Sequence, residues 1–372
     1  MRFRIERGAL AEAVGRAARA LPGRPSQPVL AGLRLTASED RLAVAGYDHE
    51  VSVRVSVEAG VEGPGETLVV GRRLLDVCRV LPDGPLDCAL EGARLAVAGG
   101  GTRFGLAALP LDDYPALPAV PGTLGELDAA EFADAVAQVA TAAGRDDTLP
   151  VLTGVRLELG DGTLTLSATD RYRFAVRTLP WRPLSPMPGQ TEAVVPARRL
   201  LEAVRSPAGT GIVRLALGDG TLGLLGRDTT ATIRLLDGVL PGYASLFALP
   251  EPVLGVVERD LLVEAVKRVA VVTERHSPLR LVFTAQSLLL EAGAGDDDTA
   301  SQRLPAALHG APVTLAFNPG YLADALAALD APHVEFAMLG PGQRVLLAGR
   351  DKADDAADPG HRHLLMSLKT AG

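Results

Sequence analysis

One short pattern occurs three times along the chain. A strand-like stretch leads into an amphipathic helix at Leu10, Phe132 and Leu262, and an acidic residue follows two places on, at Glu12, Asp134 and Glu264. Ala13-Val14, Ala135-Val136 and Ala265-Val266 come next. Behind these, Pro28-Val29-Leu30, Pro150-Val151-Leu152 and Pro278-Leu279-Arg280 form a second recurring mark. A repeat of about 120–130 residues is a repeat of whole domains, since solenoid units run to about 20–50. Three equivalent domains in one chain point to an architecture whose geometry is itself the function.

Each domain repeats again inside. Thr67-Leu68-Val69-Val70 leads into Arg72-Arg73-Leu74-Leu75-Asp76, and Ala193-Val194-Val195 into Arg198-Arg199-Leu200-Leu201-Glu202. Val313-Thr314-Leu315-Ala316 leads in the same way into Tyr321-Leu322-Ala323-Asp324. The chain therefore reads as six half-units, each a strand, a helix and several strands, which is an α+β class. Turn residues at Ser38-Glu39-Asp40, Gly160-Asp161-Gly162 and Ala285-Gln286-Ser287 join strand pairs into hairpins. Pro- and Gly-rich stretches from Tyr114 to Gly122 and from Leu249 to Gly255 place domains at 1–121, 122–250 and 251–372.

A hydrophobic content of 47% supports a core in each domain, and with only 4% aromatics those cores are built from Leu, Val and Ala. Met1 to Arg7 alternates charged and apolar residues, which is a strand pattern rather than a signal peptide. No run reaches the length of a membrane span, so no membrane partner is expected. Cys78 and Cys88 fit a reducing cytoplasm, Cys78 as a small core residue.

The net charge of −8 argues against nucleic acid taken as a total. Screening over about 8–10 Å lets an uneven surface act locally. On the helix from Arg72, the stripe Leu74, Val77, Cys78, Leu81 turns inward and Arg72, Arg73, Asp76 and Arg79 fall outside it. Leu200, Ala203 and Val204 against Arg198, Arg199 and Arg205 repeat the arrangement. On the first helices, Arg16, Gln138 and Arg268 match, with Lys267 beside the last, and Arg19 and Arg24 follow the first helix. Solvated surface explains any one of these arginines; the repetition of a basic face favours an electrostatic lining. The third domain breaks the pattern with Gly320, Tyr321 and Ala327.

Catalytic signatures are missing. Gly99-Gly100-Gly101-Thr102 lacks the Lys-Ser/Thr of a phosphate loop and reads as a hairpin turn. His361 and His363 would share a strand face, but no further ligands accompany them, and surface histidines are expected there. Asp296-Asp297-Asp298 and Asp354-Asp355 fall short of a calcium loop. No enzyme, metal or cofactor is expected; a hydrolase or transferase built on the histidine pair is the distant alternative.

Several stretches carry a resemblance along nearly the whole chain. They are Glu6-Arg7 with Leu10, Gly23-Arg24-Pro25 before Pro28-Val29-Leu30, Ala168 to Phe174, Phe317-Asn318-Pro319-Gly320-Tyr321-Leu322, and Leu364-Leu365-Met366. Together they resemble the bacterial DNA polymerase III β subunit, the sliding clamp. The resemblance implies three clamp domains per chain. Two chains would form a head-to-tail homodimeric ring, helices lining the hole and sheets outside. Phe104 and Leu106 would meet Val271 and Val272 where chains join, although core packing accounts equally for these four. The implied function is a non-catalytic processivity factor that encircles duplex DNA without reading its sequence.

Arg24, Arg72, Arg73, Arg198 and Arg199 would contact phosphates. The family also contacts DNA just before the Leu152 strand, where this chain has Asp146, Asp147, Pro150 and Val151, with Arg145 as a partial substitute. The implied partners are the polymerase III catalytic subunit, the clamp loader, and other polymerases and repair proteins carrying clamp-binding motifs. They would dock as short peptides in a cleft between the second and third domains. The matching cleft positions are Leu152, Thr169, Arg171, Tyr172, Arg173, Phe174, Pro241, Leu246, Asn318, Tyr321, Val345, Leu364, Met366 and Leu368. Two departures touch that cleft: Ala244-Ser245 after Pro241, and Met366-Ser367-Leu368-Lys369 with its tail in place of a Met-Pro-x-Arg-Leu ending. They motivate two alternatives, a second-copy clamp that evades an inhibitor of the cleft, and a ring-fold scaffold that no longer loads on DNA.

Overall fold

The computed structural model describes residues 1–187, 189–205, 211–273, 277–293 and 298–369. His276, Asp296, Asp297 and the tail from Thr370 lie outside the described residues. The threefold repeat is visible in the cores. Leu10, Phe132 and Leu262 are all buried, as are Ala13, Ala135 and Ala265, and Val14, Val136 and Val266. They sit on helices Arg7–Ala17, Ala129–Ala140 and Arg259–Val269. The second helices are Gly71–Val80, Ala197–Val204 and Pro319–Ala328. Each buries its expected apolar side, Leu74, Val77 and Cys78 in the first and Leu200, Ala203 and Val204 in the second. Burial contributes about 1.5–3 kcal/mol for each large aliphatic side chain. Burial also pushes the Cys78 thiol up to about 11 and the Cys88 thiol up to about 12, so both are inert core residues.

The chain divides into two compact units. The first comprises Met1–Ala133, Trp181–Met187 and Arg198–Leu235; the second comprises Asp134–Pro180, Pro188–Ala197 and Leu236–Gly372. The first unit holds a 14-stranded antiparallel sheet. At its centre strand Val51–Glu58 pairs with Thr229–Arg234, in register Val53 to Ala231, so one sheet runs across the first sequence repeat and part of the second. Its hairpins form where turn residues stand. Glu39 and Asp40 take φ of 49° and 57°, and Gly100 and Gly101 take 57° and 78°, the left-handed pair that a two-residue turn demands.

The second unit holds a nine-stranded and a four-stranded sheet. Strand Arg173–Pro180 pairs with His361–Met366, joining the rest of the second repeat to the third. The third-repeat core gathers Leu262, Val266, Phe283, Phe317, Leu322, Phe336 and Val345 between helices Arg259–Val269 and Pro319–Ala328 and the sheets. Gly255, expected in a boundary segment, lies inside strand Val253–Glu258, because it is the strand's approach to the Phe283 ring that excludes a side chain there. Among the described residues no helix is long and apolar enough to cross a membrane.

His361 and His363 are not surface residues: they are 4% and 2% exposed. Strand alternation sends both to the same covered face, where their Nε2 atoms lie 3.1 Å apart. One ring donates and the other accepts, a contact that two neutral imidazoles of different tautomer can make. Desolvation pushes His361 down to about 4; desolvation, and then the neighbouring His361, pushes His363 down to about 3. The unfolded chain, with histidines near 6.5, takes up protons the folded chain refuses. Stability is therefore lost as pH falls below about 6.5, and the loss levels off only near the folded values. Denaturation of wild type and a His361→Phe/His363→Phe variant should differ in slope by about 1.4 kcal/mol per pH unit per histidine between about pH 6 and pH 4.5. Parallel profiles would contradict neutral burial of the pair.

Candidate peptide-docking site and nucleic-acid interface

The turn before strand Arg173–Pro180 is built by its own side chains. Asp170 Oδ1 accepts from the backbone N–H of Tyr172 and Arg173 at 3.0 and 3.1 Å. Thr169 Oγ1 donates to the Arg173 carbonyl at 2.7 Å and accepts from Arg171 N–H at 3.1 Å. These bonds hold Arg171 at φ 82°, a left-handed conformation unusual for a side-chain-bearing residue. Arg173 is thereby aimed inward. Its side chain is 7% exposed and lies between two carboxylates, Nε to Asp170 Oδ2 at 2.9 Å and Nη1 to Asp324 Oδ2 at 2.7 Å. Its guanidinium also stands 4.3 Å over the Tyr321 ring. A buried guanidinium is tolerable only when paired this fully.

Opposite the turn, Asn318 caps helix Pro319–Ala328, accepting from Gly320 N–H and Tyr321 N–H at 2.9 and 3.2 Å. The cap fixes Tyr321, whose ring stacks with Tyr172 at 6.5 Å between centroids. Desolvation, with Asp170 next, raises the Tyr321 hydroxyl above its ordinary value. Leu152 closes a third side through its carbonyl, which accepts from Gly144 N–H at 2.7 Å. The resulting cavity is about 820 Å³ and is walled by Leu152, Arg171, Tyr172, Arg173, Asn318 and Tyr321.

The remaining cleft positions lie elsewhere, because neighbouring strand residues face opposite ways. Phe174, Leu246 and Leu364 form an apolar cluster with Val176, Phe247, Tyr243 and Leu346. Phe174, Tyr243 and Phe247 pack with ring centroids 5.7–6.0 Å apart. Val345 lies within the third-repeat core. Thr169 is buried as a turn-builder, Pro241 is exposed, and Met366 and Leu368 are 37% and 42% exposed. Met366 N–H bonds the Tyr172 carbonyl at 2.9 Å, so the strand end adjoins the cavity turn.

The two departures have local roles. Ser367 N–H and Oγ both donate to the Gln343 carbonyl, at 3.0 and 2.8 Å, the first of which a proline could not make. Ala244 and Ser245 open the short helix Ala244–Phe247, and Arg344 Nη1 donates to the Ser245 and Leu246 carbonyls at 3.0 and 2.9 Å.

Asp170 and Asp324 were missed by sequence reasoning as members of the cavity wall. The signal was Asp170 within Thr169-Asp170-Arg171, a turn sequence ahead of a strand; Asp324 had none. Arg145 and Asp146 also line the cavity. Asp146 is engaged with Thr148, whose hydroxyl donates to it at 2.7 Å and lowers its pKa.

The basic residues divide in two. Arg24, Arg72 and Arg73 are exposed, and no carboxylate pairs with them among the described residues. Arg198 is 87% exposed and pairs with Glu202 at 3.3 Å. Arg199 is half-buried and bonded at 2.6 Å to Asp48, whose side chain is 3% exposed. The pKa of Arg19 is lowered, first by burial and then by Arg16 and Arg205, a mark of crowded positive charge. Gln138, matched to Arg16 and Arg268, is buried rather than outward, since its amide is bonded to Asp330.

A repeated α+β chain with a preorganised pocket and exposed basic helix faces has the features of a binding scaffold. Comparison with known proteins gives the family. The DNA polymerase III beta subunit models match at residues 1–118 for the N-terminal domain, 126–242 for the central domain and 251–360 for the C-terminal domain. The chain is 46% identical to the beta sliding clamp of Streptomyces coelicolor, with 100% of both chains covered. It is 43% identical to the beta sliding clamp homolog GriR of Streptomyces muensis, over 99% of each. A crystal structure of the sliding clamp of Pseudomonas aeruginosa bound to griselimycin matches with TM-score 0.92 and 27% identity over 100% of both chains. The chain belongs to the DNA polymerase III beta subunit family and is a non-catalytic DNA sliding clamp of three clamp-fold domains. Its partners are accordingly DNA and the polymerase and other clamp-binding proteins.

Asp170 serves three groups at once, two backbone N–H and a buried guanidinium. Asp170→Ala should cost about 3–5 kcal/mol in chemical denaturation, as expected when a buried ion pair loses one partner. Asp324→Asn, which keeps a hydrogen-bond acceptor, should cost less. Equal and small losses would show that the Arg173 network is not what holds the turn.

Proposed function

We propose that this clamp captures peptide motifs of its partners at the Tyr172–Tyr321 cavity and the adjoining Met366 strand end, and that Arg24, Arg72, Arg73 and Arg198 supply its phosphate contacts. The observation that carries the docking reading is the preorganised turn at Thr169–Arg173. It supports a polar, aromatic-walled chamber of peptide dimensions beside the partly exposed Met366 and Leu368. A pocket whose polar groups are already fixed loses little ordering entropy on binding, which suits weak, exchangeable capture. The partners proposed for it are the polymerase III catalytic subunit, the clamp loader, and repair and other polymerases carrying such motifs.

In this reading residues 1–121, 122–250 and 251–372 act as three clamp domains, and two chains close head to tail into a ring with helices inward. Segment Thr102–Ala107 supports this, since among the described residues it pairs only with Arg94–Gly99 and leaves its other edge open beside half-buried Phe104 and Leu106. Val271, 81% exposed, and Val272 are the proposed opposite contact. Arg199 is assigned a lesser share in DNA binding, because Asp48 already holds its guanidinium. No observation favours the alternative of a specialised, inhibitor-evading copy over the ordinary clamp.

Titrating a fluorescent clamp-binding peptide into the full-length protein tests the docking reading. Saturable binding is expected, weakened about tenfold or more by Met366→Ala and by Tyr172→Ala, each a loss of about 1.4 kcal/mol or more. No binding by a folded protein would refute the cavity assignment and favour the specialised copy. For the DNA reading, Arg72→Ala/Arg73→Ala should weaken binding to linear duplex uniformly across sequences and flatten the salt dependence by about two phosphate contacts. An unchanged slope would remove those residues from the interface.

A further inference from the structure

The segment 237–252 is a strap moored by side chains. Among the described residues its backbone makes no hydrogen bond to the backbone of another segment; Leu246 N–H and Phe247 N–H both donate to the Tyr243 carbonyl, inside the strap. Backbone groups must find partners somewhere, and arginines from two different strands supply them. Arg156 Nη1 donates to the Leu240 carbonyl at 3.4 Å. Arg344 Nη1 donates to the Ser245 and Leu246 carbonyls at 3.0 and 2.9 Å. The Arg344 bonds are the shorter ones, and a charged donor strengthens them. Arg344 forms no ion pair among the described residues, so its guanidinium is committed to the strap.

Register places this mooring beside Met366. Arg344 stands directly opposite Met366, Leu346 opposite Leu364, and Leu364 opposite Phe174. Residues opposite one another share a face, as do alternate residues along a strand. Arg344, Met366, Leu346, Leu364 and Phe174 therefore belong to one face of the sheet. Tyr243, Leu246 and Phe247 of the strap pack on its apolar part, and Arg362 stands 5.1 Å over the Phe247 ring. Leu246 is half-buried and Met366 is 37% exposed. One residue thus holds the backbone of Leu246 and neighbours Met366.

We propose that Arg344 is a positioning residue for peptide capture: its two bonds fix Leu246 on the sheet beside Met366, so that an apolar peptide side chain meets a surface already formed. The proposal rests on the reading that partner peptides dock at the Met366 strand end. Without Arg344 the strap would be ordered only as the peptide binds, and that ordering would subtract from affinity.

The test titrates the fluorescent clamp-binding peptide, and alanine variants at each of its apolar residues, into full-length wild type, Arg344→Ala and Arg344→Lys. Arg344→Ala should weaken the parent peptide about fivefold or more. For at least one alanine peptide that is weakened on wild type, the further loss on Arg344→Ala should be under about twofold, because the two changes remove the same interaction. Arg344→Lys keeps charge and donors but not the planar fork. It should fall between the two, and it carries the comparison if the alanine variant does not fold. Amide exchange across 240–248 should be faster in Arg344→Ala, with circular-dichroism melting confirming the fold. Equal weakening of every peptide, or faster exchange with unchanged affinity, would overturn the proposal by leaving Arg344 a purely structural role. Wild type that binds no peptide would overturn the docking reading and this proposal together. Binding that Met366→Ala weakens and Arg344→Ala does not would overturn this proposal alone.

Discussion

The pairing of strand Arg173–Pro180 with His361–Met366 is the constraint on which the second unit depends. It joins residues almost two hundred positions apart into one sheet and fixes which side chains face which way. Along it Arg173, Arg177, His361 and His363 share one face, while Phe174, Val176 and Leu364 share the other. A slip of one residue would exchange the two sets and bury the wrong one. The neutral histidine pair and the aromatic cluster around Phe247 thus both enforce the register, from opposite faces. The docking cavity is a consequence of that register, since it forms where the strand pair ends.

Electrostatics decides how the two kinds of surface differ. At the cavity, the buried Arg173 is matched by Asp170 and Asp324, so its charge is spent on shape, holding the Tyr321 wall in place. Arg24 in the loop after the first helix, and Arg72 and Arg73 on helix Gly71–Val80, have no such partners among the described residues, and their charge is available to a polyanion. The net charge of −8 is no obstacle to this, because exposed charges are screened beyond about 8–10 Å. A sequence-blind phosphate lining needs only local excess, and a protein that holds DNA by enclosure needs no tight site.

Much of the fold was legible in the sequence because it is written three times. Leu10, Phe132 and Leu262 identify equivalent helices with no knowledge of structure, and a period-3.6 stripe such as Leu74, Val77, Cys78 states which face is buried. Turn chemistry at Glu39-Asp40 and Gly100-Gly101 placed the hairpins. What stayed hidden depends on contacts between distant residues. The histidine pair looked like surface because nothing local reveals that both faces of the strand are covered. Gln138 stands at the position of Arg16 in the repeat, and nothing nearby in the sequence reveals that Asp330, far along the chain, draws it in. The cleft residues read as one group in the sequence, yet strand alternation divides Arg173 from Phe174. Asp324 could not be found at all, since its role exists only once Arg173 is folded against it.

Enclosure of DNA is best tested by topology. The protein would be loaded with its clamp loader onto nicked circular DNA, then washed in salt high enough to strip phosphate contacts. Retention on the circle, followed by release when the DNA is cut once, is the result the account requires. Loss from the intact circle, or equal retention before and after cutting, would contradict it and leave a clamp-fold scaffold that does not encircle DNA.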